Sequence, residues 1–156
     1  MGKKKVFIVD DDKELVDYLS IILEDEYQVD TASDGVSALS KIKRGTLPDL
    51  MILDINMPVM NGLEVCKNLR KDNRTKTLPI IFLTIDAESE VKGLNLGAVD
   101  YLVKPIDDPE KLLARVQSHI KNLETIKDSE RSFYFNLYWI AVVLFIISIS
   151  IVLFIF

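Results

Sequence analysis

The sequence predicts an α/β protein: a doubly wound sheet of five parallel strands, followed by a hydrophobic helix at the C-terminal end. Three observations lead there. Short apolar runs rich in branched residues alternate with segments of helical spacing. Each run closes on polar residues. Every Asp, Glu, Lys and Arg lies at or before Arg131, so an uncharged segment follows a charged one.

The strands come first. "VFIVD" (6 to 10), "LMILD" (50 to 54), "PIIFLT" (79 to 84) and "YLVK" (101 to 104) are unbroken apolar runs, and "YQVDTA" (27 to 32) is a weaker fifth. Unbroken runs of this length suit strands covered on both faces. Between and after them, helical spacing sets Leu15, Leu19, Ile22 and Leu23 on one stripe. Val36, Leu39 and Ile42 form a second, and Leu63, Val65, Cys66 and Leu69 a third. Val91 and Leu94 form a fourth, and Leu112, Val116, Ile120 and Leu123 a fifth. Five βα units in succession imply a parallel sheet with helices on both faces and right-handed crossovers. Ligands of such sheets sit at the carboxyl ends of the strands.

Composition narrows the function. With 156 residues the chain has room for one ordinary domain and an appendage. The 19 Lys and Arg against 24 Asp and Glu give a net charge of -5, which argues against nucleic acid as a direct partner, because phosphate contacts need clustered basic residues. The single cysteine, Cys66, excludes an internal disulfide and reads as a small helix residue in a reducing compartment. The run Val6 to Val9 is too short for the apolar core of a secretory signal.

Parallel strands bring Asp10, Asp54, Thr84 and Lys104 to one edge of the sheet, each the last residue of its run or just beyond it. Asp11 adds a third carboxylate. Three close carboxylates repel one another unless a cation or proton intervenes. An all-oxygen donor set selects a hard ion, and few protein ligands with room for water and phosphate oxygens suit Mg²⁺. Asp12 reads instead as the N-cap of the helix beginning at Lys13. A carboxylate beside Mg²⁺ can attack phosphorus to give an aspartyl phosphate, with the Lys104 ammonium and Thr84 hydroxyl sharing the transferring oxygens.

With these residues in order, the segment from residue 4 to about 123 resembles the receiver domain of two-component response regulators. The resemblance implies a flavodoxin-like sheet of order 2-1-3-4-5 and assigns Asp54, within "DINMPVMNG", as phosphoacceptor. It implies Asp10 and Asp11 as the acidic pair and a Mg²⁺ site of Asp10, Asp11, Asp54 and the Asn56 backbone carbonyl. Thr84 and Tyr101 would be the switch residues, Lys104 would contact the phosphoryl group, and the Lys104-Pro105 peptide would be cis. It also implies a sensor histidine kinase or phosphotransfer protein as donor, admits a phosphorylation-dependent homodimer, and describes a signalling domain rather than an enzyme. One departure is Ile85, branched where the family usually has a small residue after the switch threonine; its bulk narrows access to Asp54. The lone histidine, His119 in "QSHIKN", lacks the surroundings of a kinase phosphoacceptor and reads as a solvated or partly buried helix position.

Two other readings use the same residues. A haloacid-dehalogenase-type phosphohydrolase also uses a strand-end Asp with Mg²⁺, but resembles Asp-x-Asp; Asn56 stands at the second position here and cannot exchange a proton. A pseudo-receiver would be a docking surface only, which the full set of Asp10, Asp11, Asp54, Thr84 and Lys104 disfavours.

From Leu137 to Phe156 run twenty residues without a charge, enough for a helix of roughly 30 Å, with Phe133, Tyr134, Phe135, Tyr138 and Trp139 at the near end. The expectation is therefore a receiver over residues 1–123, a helical linker over 124–132 and a transmembrane helix over 133–156. Basic residues Lys121, Lys127 and Arg131 before the span would place a single-pass protein in the inner membrane, receiver facing the cytoplasm.

Overall fold

The computed structural model describes residues 2–85 and 96–155, the side chains of Lys127 and of residues 145–155 excepted. Five strands alternate with helices along the chain: β1 Lys5–Val9, α1 Lys13–Leu23, β2 Gln28–Ala32, α2 Gly35–Arg44, β3 Leu50–Asp54, α3 Gly62–Lys71, β4 Ile80–Thr84, β5 Asp100–Val103 and a C-terminal helix, Pro109–Ile155. The helix expected at Val91 and Leu94 lies outside the described residues. All strand pairings are parallel, in the order β2-β1-β3-β4-β5.

Period-two side-chain alternation divides the apolar strands between two cores. Phe7, Val9, Met51, Leu53, Ile80 and Phe82 pack on the α2 and α3 side with Ala38, Ile42, Val65, Cys66 and Leu69. Val6, Ile8, Leu50, Ile52, Ile81, Leu83 and Leu102 pack on the other with Leu19, Leu23, Leu112, Val116 and Ile120. Every residue of β3 and β4 is buried, which is why those two runs carry no polar residue before their ends. In α2 the buried stripe is Gly35, Ala38 and Ile42, and Val36 is exposed. Small residues there let α2 approach α3, as a Cβ at Gly35 would stand 2.6 Å from Val65 Cγ2.

Helix starts are fixed by side chains that accept the orphan N–H groups of the first turn. Asp12 caps α1, accepting from Glu14 N (3.0 Å) and Leu15 N (3.2 Å). Asn61 and Glu64 form a reciprocal capping box at α3. Pro109 opens the C-terminal helix, where Asp108 accepts from Lys111 N at 2.9 Å.

The chain divides into two units, Met1–Ile120 and Lys121–Phe156. The hydrophobic segment does not form a helix of its own, since residues 109–155 are one helix. Phe133, Tyr134, Phe135, Tyr138 and Trp139 are exposed along it and touch edge to face. Among the described residues no helix is long and apolar enough to cross a membrane. The transmembrane helix expected over 133–156, the membrane as partner and the inner-membrane location are therefore withdrawn.

Removing the α1 cap with Asp12→Ala is expected to cost about 1 kcal/mol of stability in urea unfolding. A loss within error of zero would show that Asp12 does not hold the helix start.

Candidate functional site

The register of the sheet assembles the site. Val9 pairs with Leu53, Asp54 with Leu83 and Thr84 with Val103, so β1, β3, β4 and β5 end together. Backbone hydrogen bonds extend this order one residue past β1, β3 and β5: Asp10 N to Ala32 O (3.2 Å), Ile55 N to Leu83 O (3.1 Å) and Lys104 N to Thr84 O (2.8 Å). Asp10, Asp54 and Thr84 are buried, Asp11 and Asn56 are exposed, and Tyr101 is partly buried against the core.

At the centre stands one ammonium between two carboxylates. Lys104 Nζ lies 2.8 Å from Asp10 Oδ2 and 2.8 Å from Asp54 Oδ1. The Lys104-Pro105 peptide is cis. Burial lowers the Lys104 pKa, but the hydrogen bonds and charges of Asp10 and Asp54 outweigh it and raise the net value above 10.5. Lys104 therefore stabilises the fold below its unfolded pKa, and that contribution is lost as pH rises through the folded one. For Asp54 burial dominates. Desolvation raises its pKa above 3.8, Asp10 and Asp11 add to the rise, and Lys104 only partly opposes it.

The carboxylate oxygens of Asp10, Asp11 and Asp54 lie within 4.8 Å of one another. Asp10 Oδ1 accepts from Asp12 N at 2.9 Å. Oδ2 is buried and, among the described residues, has the ionic contact with Lys104 but no hydrogen bond of suitable geometry. Three carboxylates gathered this closely form a hard-donor cluster that fits a divalent cation such as Mg²⁺.

The loop after β3 is built tightly around Asp54. Gly62 N donates to Ile55 O at 3.0 Å, and a Cβ on Gly62 would fall 2.1 Å from Asp54 O, so no other residue fits without moving the strand end. Val59 is 93% exposed at φ 67°, a strained conformation for a β-branched residue. Ile85 is also exposed.

The sequence reading did not find a second polar cluster in the same unit. Asp100 accepts from Arg115 Nη1 at 2.6 Å on both oxygens, and its Oδ2 is 3.0 Å from His119 Nε2. His119 is thus a partly buried helix residue with an acidic partner. Only the pairing of Asp with Arg and His was available in the sequence, and nothing local links position 100 to positions 115 and 119.

In the metal-free protein at neutral pH, Asp54→Asn should unfold at a higher temperature than the wild type, because it removes a buried charge that the fold disfavours. The sign follows from the raised pKa: the penalty is full above the folded pKa of Asp54 and gone below 3.8. The difference in melting temperature should therefore close as pH falls through that window. A variant less stable at neutral pH would contradict the assignment.

The model of the response regulator receiver domain matches residues 6–117. Response regulator ArlR of Staphylococcus saprophyticus is 41% identical over 131 residues, covering 79% of this chain and 57% of the relative. The alkaline phosphatase synthesis transcriptional regulatory protein PhoP of Bacillus subtilis is 42% identical over 124 residues, covering 78% and 50%. DNA-binding response regulator MtrA of Mycobacterium tuberculosis is 38% identical over 122 residues, covering 76% and 51%. The chain spans about half the length of these relatives. Among solved structures, Vibrio cholerae chemotaxis protein CheY4 is 39% identical with a TM-score of 0.70, covering 75% of this chain and 98% of that one. A CheY-like receiver domain protein from Methanospirillum hungatei is 31% identical with a TM-score of 0.73, covering 80% and 98%. The expected exclusion of nucleic acid is overturned, because relatives this similar are DNA-binding and transcriptional regulators; net charge was too blunt a guide where the match covers half a protein. With 112 consecutive residues matched to its model, the chain belongs to the response regulator receiver family.

Proposed function

We propose that the protein is a phosphoacceptor response regulator of a two-component system, modified on Asp54 by a sensor histidine kinase or a phosphotransfer protein. The observation that carries this reading is the single Lys104 ammonium 2.8 Å from both Asp10 and Asp54, beside Asp11 and at the same sheet edge where Thr84 closes β4. An Asp54 oxygen forms the new O–P bond as the P–N bond to the donor's imidazole breaks. Lys104 and the Thr84 hydroxyl stabilise the equatorial oxygens of the phosphoryl group. Asp10, Asp11, Asp54 and the Asn56 carbonyl would hold Mg²⁺, which when bound supplies charge neutralisation to the transfer.

Asn56 offers no exchangeable proton for hydrolysis, so the aspartyl phosphate persists long enough to act as a signal. Thr84 and Tyr101 then couple the modified site to partner binding by biasing a pre-existing equilibrium. For the whole protein we carry DNA as the downstream target, on the strength of the relatives' names. A mobility shift of the phosphorylated chain on DNA, absent in Asp54→Asn, would support that output, and identical behaviour of the two would remove it.

Incubation with a phosphorylated kinase and Mg²⁺ should add one phosphoryl group to the intact protein and none to Asp54→Asn. Failure with every donor, or equal modification of the variant, would overturn the reading. The exposed Ile85 stands immediately beyond Thr84, and Ile85→Ala should speed phosphorylation by a small donor such as acetyl phosphate more than transfer from a kinase. An unchanged ratio of the two rates would show that Ile85 does not control access.

A further inference from the structure

Beyond Ile120 the C-terminal helix belongs to the second unit and continues without a break to Ile155. Its charges stop at Arg131: Lys121, Glu124, Lys127, Asp128, Glu130 and Arg131 lie in the first stretch, and none follows. Ile126, Phe133, Leu137, Ile140 and Leu144 are all exposed, Leu137 the least at 52%. A helix whose apolar residues face water on every side is stable only when other elements cover it, because packing rather than propensity supplies most of a helix's stability.

The spacing of these residues gives the shape of the cover. Leu123, Ile126, Glu130, Phe133, Leu137, Ile140 and Leu144 follow one another at alternating intervals of 3 and 4 residues. That is the 3.5-residue period of a helix that supercoils left-handedly around partners of the same period. Another copy of this chain has that period by identity. Charge then fixes the direction. Antiparallel copies would lay the charged stretch 121–131 of one helix on the uncharged stretch of the other, and unpaired charge against apolar surface is costly. Parallel copies set charged on charged and apolar on apolar. Glu130 meets its own counterparts in that arrangement, a polar seam position that costs stability and pins the register.

The seam also selects the number of copies. Leu123, Leu137 and Leu144 occupy one of its two rows, and Ile126 and Ile140 stand in the other beside Phe133. Leu in the first row with Ile in the second shifts the preference from two helices to three or four. The width of the apolar face agrees, since Tyr134, Ala141 and Val143 flank the seam and are exposed as well. Five exposed seam side chains bury on the order of 100 Å² each. Neighbouring helices would thus remove about 1,000 Å² from water between them, the least that a specific interface needs.

We infer that the C-terminal helix is a self-association element, through which three or four copies of this chain join in parallel along the seam from Leu123 to Leu144. No part of this uses Asp54, so it stands or falls apart from the phosphoacceptor reading.

The test is the mass of the full chain in solution, measured without detergent and without a phosphodonor by analytical ultracentrifugation at micromolar concentration. The wild type should sediment as three or four chains. A single-chain mass overturns the inference, whether the chain is free or bound to phosphatidylcholine vesicles, and so does a dimer or an aggregate of undefined size. Ile140→Asp changes the seam and Trp139→Asp the position beside it; both residues are exposed, so neither change disturbs the folded core. Ile140→Asp should reduce the mass to one chain, and Trp139→Asp should leave it unchanged. Equal loss in both overturns the seam, because apolar area alone would then drive association. Direction is read by cross-linking of Ile126→Cys, where two thiols of neighbouring copies form one disulfide as oxidised glutathione is reduced to two thiols. Copies should be joined at position 126, and the wild type should not be joined, because Cys66 is buried. A variant that associates without forming this disulfide overturns the parallel arrangement.

Discussion

The structure depends on one ammonium shared by two buried carboxylates. Asp10 and Asp54 end adjacent strands, and without Lys104 between them the fold would bury two like charges side by side, which is among the costliest arrangements a small domain can hold. That constraint explains several otherwise separate features. Lys104 must come from the far end of the sheet, so β5 has to pair with β4 in the register that sets Thr84 beside Val103. The backbone of α3 must pass close over Asp54, so residue 62 must lack a side chain. The balance is incomplete, because burial still raises the pKa of Asp54. This residual cost is what a divalent cation or a phosphoryl group would relieve, and it ties stability to function at the same atoms.

Much of this arrangement was legible in the residues. Parallel topology forces strand ends to one edge, so a polar residue closing an unbroken apolar run marks the site wherever the runs are clear. Asp10, Asp54, Thr84 and Lys104 come together for that reason, and Asp12 was separable from its neighbours because a cap needs only local spacing. The capping box of Asn61 and Glu64 is equally local in its spacing. Val36 misled because helical spacing alone does not distinguish a stripe of branched residues from one of small residues where two helices approach closely.

Other features had no local signature. Asp100 is separated from Arg115 and His119 by 15 and 19 residues, and their meeting depends on how the last crossover returns the helix to the sheet. The positive φ of Val59 contradicts the preference of a β-branched residue, and nothing in its own side chain announces it. For the C-terminal segment the helical character was legible, since residues 109–155 are helical, but hydropathy was read as a membrane span, and among the described residues no helix is long and apolar enough to cross a membrane. Net charge failed as a guide to partners because the chain spans only about half the length of relatives named as DNA-binding or transcriptional regulators.

The most direct test of the account is chemical trapping of the modified residue. After incubation with a phosphodonor and Mg²⁺, borohydride reduces an aspartyl phosphate to homoserine, and peptide mass spectrometry then locates it. The account predicts homoserine at position 54 alone, only when both donor and Mg²⁺ are present, with Asp10 and Asp11 recovered unchanged. Reduction at another carboxylate, or none at position 54 under conditions where the donor is consumed, would contradict it.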